Sequence, residues 1–237
     1  MTPPKSPLQS SPLLTVLRLF LTIGFPFLLV MIFVRLIMSP LFLQFEYNRP
    51  GFPEDFYGLT TQERLEYAPF AVQYLLNGDD ITYLGDLRFP DGSEMYNARE
   101  LHHMRDVKIV THYAFAAAVI VGILVTISTV VLWRYSRRTL YAALLTASRL
   151  TIGIIAAIVI ISVVSWDTFF TTFHTLFFAG GTWQFAYSDT LIRLFPEQFW
   201  FDAALIIGGG TLLISLVTLF ILSRGVLTRP NQDGTLV

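Results

Sequence analysis

The residues of this sequence that first suggest chemistry are its four histidines: His102, His103 and His112 in one segment and His174 in another. Imidazole, with an unperturbed pKa of about 6.5, suits proton transfer near neutral pH. The stretch Glu100-Leu101-His102-His103-Met104-Arg105-Asp106-Val107-Lys108 sets two imidazoles among charges. On a helix, Asp106 lies three residues from His103 and four from His102, so its carboxylate can orient either ring. The same spacing also suits a solvated face of ion pairs, Glu100 with Arg105 among them. The second stretch runs from Trp166 to Phe178 and embeds His174 among five phenylalanines. Aromatic belts mark membrane interfaces, so the rings alone need no special role. Desolvation among them would favour the neutral imidazole, the form a general base requires.

Other chemistries find less support. The absence of cysteine removes thiolate nucleophiles, disulfides and sulfur ligands. His103 and His112 are nine apart with no His-Glu-x-x-His pattern, so no metal and no organic cofactor is expected. No Gly-x-Ser-x-Gly elbow occurs. Gly208-Gly209-Gly210 sits in an apolar run, where small residues let helices approach closely. Arg18 is expected to snorkel to an interface; Arg35 can do the same, or face a lipid phosphate or a developing oxyanion. A net charge of −1 argues against a nucleic-acid partner.

These groups must be positioned by membrane helices. The chain is 54% hydrophobic and 14% charged, with a mean hydropathy of +0.58, whereas soluble domains carry about 25% charged residues. Apolar stretches over 13–38, 109–133, 140–166 and 199–223 are each long enough to span a core of about 30 Å. Lys5, Arg18, Arg134, Arg137, Arg138, Arg224 and Arg229 mark the cytoplasmic ends. The tails 1–12 and 224–237 and the loop 134–139 are therefore expected inside. The connections 39–108 and 167–198 are expected outside, the first with twelve Asp/Glu against six Lys/Arg.

Within 39–108, Thr60 with Glu63 reads as a capping box opening a helix, interrupted before Pro69, resuming to Leu76 and stopped by Gly78. Pro90-Asp91-Gly92 reads as a β-hairpin turn, and Asn97 with Glu100 as the start of a helix that runs into the second span. The expected fold is an all-α four-helix membrane bundle with a small extracytoplasmic α+β domain between helices one and two. On such a helix His103, six residues before Ile109, stands about 9 Å above the apolar core.

The motifs Tyr57-Gly58-Leu59-Thr60, Glu63-Arg64-Leu65 with Tyr67-Ala68, Glu100 with His103-Met104-x-Asp106-Val107-Lys108, and Phe173-His174-x-x-Phe177-Phe178 carry a resemblance. Trp183, Asp189-x-Leu191-Ile192, Phe195-Pro196-Glu197 and Phe199 continue it. The chain resembles the bacterial integral membrane family that includes the lipoprotein intramolecular transacylases, over nearly its whole length. The resemblance implies a bacterial plasma-membrane enzyme that moves the sn-2 acyl chain of a diacylglyceryl lipoprotein to the α-amine of its N-terminal cysteine. It places the functional histidines on His103 and His174, with Asp106, Glu100, Arg35 and Asp189 as supporting residues. A neutral imidazole that deprotonates the amine and a donor for the oxyanion suffice for that reaction. The same residues also suit hydrolysis of a lipoprotein or phospholipid ester. A non-enzymatic assembly or transport protein is the remaining class, though helices three and four hold no ionisable group near their centres.

Overall fold

The computed structural model describes residues 12–227; most of the two tails, with Lys5 and Arg229, lies outside them. The described chain is helical: α1 (Pro12–Ile37), α2 (Pro40–Asn48), α3 (Thr61–Leu76), α4 (Thr82–Gly85), α5 (Ala98–Tyr135), α6 (Arg137–Val164), α7 (Trp166–Phe177), α8 (Thr190–Leu194) and α9 (Glu197–Leu227). Four of them, α1, α5, α6 and α9, are long and apolar enough to cross a membrane. They coincide with the four expected spans to within a few residues, except that α5 begins well before Ile109, as its cap predicts.

The expected α+β domain is not there. Among the described residues no strand forms; the 87–96 segment holds only an isolated antiparallel bridge between Arg88 and Glu94. The turn itself forms, with Gly92 at φ +82° and its N–H on the Phe89 carbonyl at 2.9 Å. With three residues on each arm and no third strand beside them, the arms cannot build a ladder. Nor does Pro69 interrupt α3, which runs unbroken from Thr61 to Leu76 behind its Thr60–Glu63 capping box. Burial of Tyr67, Ala68, Ala71 and Tyr74 along one face outweighs the lost N–H of the proline. Helix α1 likewise continues through Pro26.

By packing, the chain divides into two compact units. The first comprises Met1–Ile32, Ala117–Val159 and Gly208–Val237. Its core joins Leu14, Leu17 and Leu21 to Leu132, Leu140 and Ala143. At Gly24 an added Cβ would lie 2.5 Å from Val125 Cγ2, so α1 and α5 cross where only glycine fits. At Gly208 an added Cβ would lie 3.5 Å from Val159 Cγ2, in ordinary contact, whereas one at Gly209 would face open space.

The second unit comprises Phe33–Ala116 and Ile160–Ile207 and holds all four histidines. Its core gathers Phe42, Leu43 and Tyr47 of α2, the buried face of α3, Met95, Tyr96 and Met104, and Leu191, Leu194, Phe195 and Phe199. A partly buried ionic cluster fastens α2 to α9: Arg49 pairs with the buried Glu46 at 2.9 Å and with Asp202, which also accepts from Gln198. Ser39 caps α2, accepting from Phe42 N–H at 3.2 Å.

Candidate functional site

The first turn of α5 anchors the helix that carries three of the histidines. Asn97 Oδ1 accepts from Arg99 and Glu100 N–H at 3.0 and 3.1 Å, and Asn97 N–H donates to Glu100 Oε2 at 2.8 Å. That reciprocal cap is the one the sequence predicts. The other oxygen of Glu100, a residue only 1% exposed, accepts from Leu191 N–H at 2.7 Å. Glu100 thus serves backbone donors rather than Arg105. Asp189 completes the join, accepting from Asn97 Nδ2, Arg99 Nη2 and Ala186 N–H at 2.9–3.1 Å. Thr190 adds a hydroxyl bond to the Met95 carbonyl. The segment leading into α8 is therefore tied to the beginning of α5 by side chains that bond both to main chain and to one another.

One turn further on, His103 is buried, and its Nδ1 has no hydrogen-bond partner. Its ring lies 6.3 Å from that of His174, centroid to centroid, with 26° between the planes. His174 Nδ1 bonds to the Phe170 carbonyl at 2.8 Å, one turn back on α7. Because a carbonyl only accepts, that nitrogen carries the proton and Nε2 of the neutral ring carries the lone pair. Aromatic rings wall the pair: Phe178 and Phe185 at 5.0 and 5.3 Å from His103, Phe170 and Trp183 at 4.0 and 4.9 Å from His174.

The surroundings set the protonation state. His103 precedes the apolar stretch that begins at Ile109, and burial holds its pKa below the ordinary value; proximity of His174 lowers it further, against the pull of Asp106. Burial likewise lowers His174, opposed by the Phe170 bond. Both rings are neutral at pH 7.

The remaining candidates are placed elsewhere. Asp106 lies 3.5 Å from His102 Nε2, and both are partly exposed, so its ion-pair geometry is with His102 and not with His103. His112 Nε2 bonds to the Leu75 carbonyl at 3.1 Å, tying α5 to the end of α3. Arg35 is exposed and donates to the Met38 carbonyl at 3.1 Å, closing the C-terminus of its own helix. Arg18 is exposed on α1. Among the described residues no three His, Cys, Asp or Glu side chains gather closely enough to hold a metal ion. Sequence reasoning counted Phe178 among the rings that desolvate His174 and Trp183 among the motif residues, but missed Phe185, whose contact with His103 spans 82 residues of sequence.

A two-imidazole cluster walled by rings, on a protein with four membrane-length helices, narrows the possible relatives. Residues 18–200 match the lipoprotein intramolecular transacylase Lit family. An uncharacterised protein of Aquifex aeolicus is 28% identical over 218 residues, 92% of this chain and 97% of that one. The in meso structure of the membrane integral lipoprotein intramolecular transacylase Lit from Bacillus cereus matches with a TM-score of 0.75 at 20% identity, covering 91% of this chain and 96% of that one. A form of that protein with a histidine-to-arginine mutation matches at 0.67 and 19% identity, covering 91% and 92%. The structures speak for the fold, that of a multi-pass membrane protein, and the match over 18–200 speaks for descent. This chain belongs to the lipoprotein intramolecular transacylase family.

Proposed function

We propose that this protein is a lipoprotein intramolecular transacylase, moving the sn-2 acyl chain of an S-diacylglyceryl cysteine to the α-amine of the same residue. The observation that carries this reading is the neutral imidazole pair, 6.3 Å apart within an aromatic wall. At that separation a single ester lies within hydrogen-bond reach of both rings. His174 Nε2, left with its lone pair by the Phe170 bond, takes a proton from the amine. The amine nitrogen bonds to the ester carbonyl carbon, and His103 donates to the oxyanion that forms. Collapse breaks the bond to the glyceryl oxygen, which takes the proton back from His174. Acyl carbon, amine and alcohol balance without a protein nucleophile, which fits the absence of cysteine.

Glu100 and Asp189 hold the segment that carries Phe185 against α5, and so position the wall rather than touch the substrate. The Lys and Arg distribution supports cytoplasmic termini and an extracytoplasmic site in 39–108 and 167–198, where the lipoprotein N-terminus is exposed. A reporter after Val237 should be cytoplasmic and one near Gly92 extracytoplasmic; an outside C-terminus overturns this topology.

The test is co-expression with a diacylated lipoprotein. Transacylation leaves the N-terminal peptide's mass unchanged and moves one acyl chain to the amine, which fragmentation in mass spectrometry reads. Loss of one acyl mass indicates ester hydrolysis, and an unaltered N-terminus indicates a different substrate; either result replaces the proposal.

A further inference from the structure

A groove of about 350 Å³ is lined by Glu54, Asp55 and Tyr57, by Arg64 of α3, and by Tyr187 and Ile192. Its floor is bonded internally: Arg193 pairs with Asp55 at 3.0 Å, and Asp55 also accepts from Leu59 N–H at 2.7 Å. Arg64 lines the groove while only 3% exposed. It donates from Nε to the Arg193 carbonyl at 2.9 Å and from Nη1 to the Pro53 carbonyl at 2.7 Å. No carboxylate lies within ion-pair distance of it among the described residues, and its Nη2 group makes no hydrogen bond there. That Nη2 group is not among the sealed, unpartnered polar atoms, so it remains able to donate to a group bound in the groove. The rim is aromatic and open to solvent, with Phe56 93% and Tyr187 79% exposed, the composition of a contact surface.

We infer that this groove holds the polypeptide that follows the lipidated cysteine, as a short extended segment. The inference rests on the transacylase reading, in which acyl chains stay in the bilayer, the cysteine amine meets the imidazoles and the rest of the substrate must leave toward water. Helix α8 joins the two places: Leu191 N–H bonds to Glu100, three residues before His103, while Ile192 and the Arg193 next to it line the groove. The volume is at the low end of ligand pockets, about 300–1,000 Å³, enough for a few residues and not for a folded domain. Charge favours a peptide over a lipid phosphate. Glu54 and Asp55 offset Arg64 and Arg193, so an anion gains no net attraction, whereas backbone carbonyls can accept from Arg64 and backbone N–H groups can donate to Glu54. Recognition of main chain flanked by rings tolerates many sequences.

The experiment uses the full chain in vesicles with two synthetic substrates, an S-diacylglyceryl cysteine followed by one residue or by six. The wild-type protein should prefer the longer by about tenfold in kcat/KM, equivalent to roughly 1.4 kcal/mol of docking. Ile192→Trp, which fills the groove, and Tyr187→Ala, which removes an exposed rim ring and leaves the core intact, should each shrink the preference toward one by raising KM for the longer substrate. Absence of a preference in wild type, or one that survives both changes, overturns the inference. So does a result in which the variants alter only the response to the anionic-lipid content of the vesicle, which marks a headgroup site. A photo-crosslinker at position 187 separates this inference from the reaction assignment. A crosslink to residues two to six of the lipoprotein without any acyl transfer supports the groove and sinks the transacylase reading. Acyl transfer with no such crosslink does the reverse.

Discussion

Two consecutive turns of α5 handle buried polar groups in opposite ways. In the first, both oxygens of Glu100 accept backbone N–H groups, and Asn97 and Asp189 close the remaining valences. In the second, His103 leaves a buried nitrogen without a partner and sits among rings. An unmade buried hydrogen bond is a cost that folding alone does not explain. The paired turn holds structure; the unpaired turn is the one to which the proposed reaction assigns a role.

The comparison breaks most decisively at the imidazoles. His103→Ala and His174→Ala should each lower acyl transfer by about 10²-fold or more, since proton transfer and oxyanion stabilisation are each of that size, while membrane-inserted protein persists. Retention of conversion in both variants, read by fragmentation of the lipoprotein N-terminus, removes these residues from the site. Next comes Glu100→Ala, which strands the Leu191 and Asn97 N–H groups at about 1–3 kcal/mol each. Its effect should appear as a lowered unfolding midpoint in detergent, with Glu100→Gln intermediate because one oxygen remains. If Glu100→Ala instead spares stability and abolishes activity, Glu100 belongs with the reacting groups.

How much of the molecule is legible in its sequence divides along the same line. The cap of α5 is readable because Asn97 and Glu100 are three residues apart, and the histidines because their residue type is rare here. The partner of Glu100 is not, since Leu191 N–H is a backbone group on another element. Helix α7 hides in what reads as an aromatic connection: Thr168, Thr171, Thr172 and Thr175 lower its helix propensity, and its amphipathic pattern overrides them. Helix α8 has five residues, too few to show a period. The hairpin expectation fails because a sound turn signal at Pro90-Asp91-Gly92 does not by itself supply strands.

A smaller effect should come from pH. Both imidazoles are held below their ordinary pKa, so kcat/KM should rise with pH through the substrate amine's value, about 7.7–8.0, with no inflection near 6.5. The linked stability runs the other way from a paired histidine. It is fully present above about 6.5 and falls as pH drops toward the lowered folded values, because the unfolded chain then binds protons the folded one refuses. A second inflection near 6.5 in the rate would mean an imidazole that titrates normally. The smallest effect belongs to His102, whose ring is 56% exposed and meets only Asp106 at 3.5 Å. His102→Ala should change activity less than about twofold and stability by no more than roughly 0.5 kcal/mol; a loss matching that of His103→Ala would erase the distinction between the neighbours.

Helix α5 runs without interruption from Ala98 to Tyr135, so the height of His103 over Ile109 is fixed at about 9 Å by helical rise. The ester of a lipid has no such fixed height; it follows the hydrocarbon thickness of its leaflet. In a thin bilayer and a thick one the same imidazole therefore meets the ester at different offsets, and tilt corrects that mismatch only at a cost. On the proposed transacylase reading the helix acts as a ruler cut for one leaflet, and acyl transfer should then vary with the acyl-chain length of the host membrane.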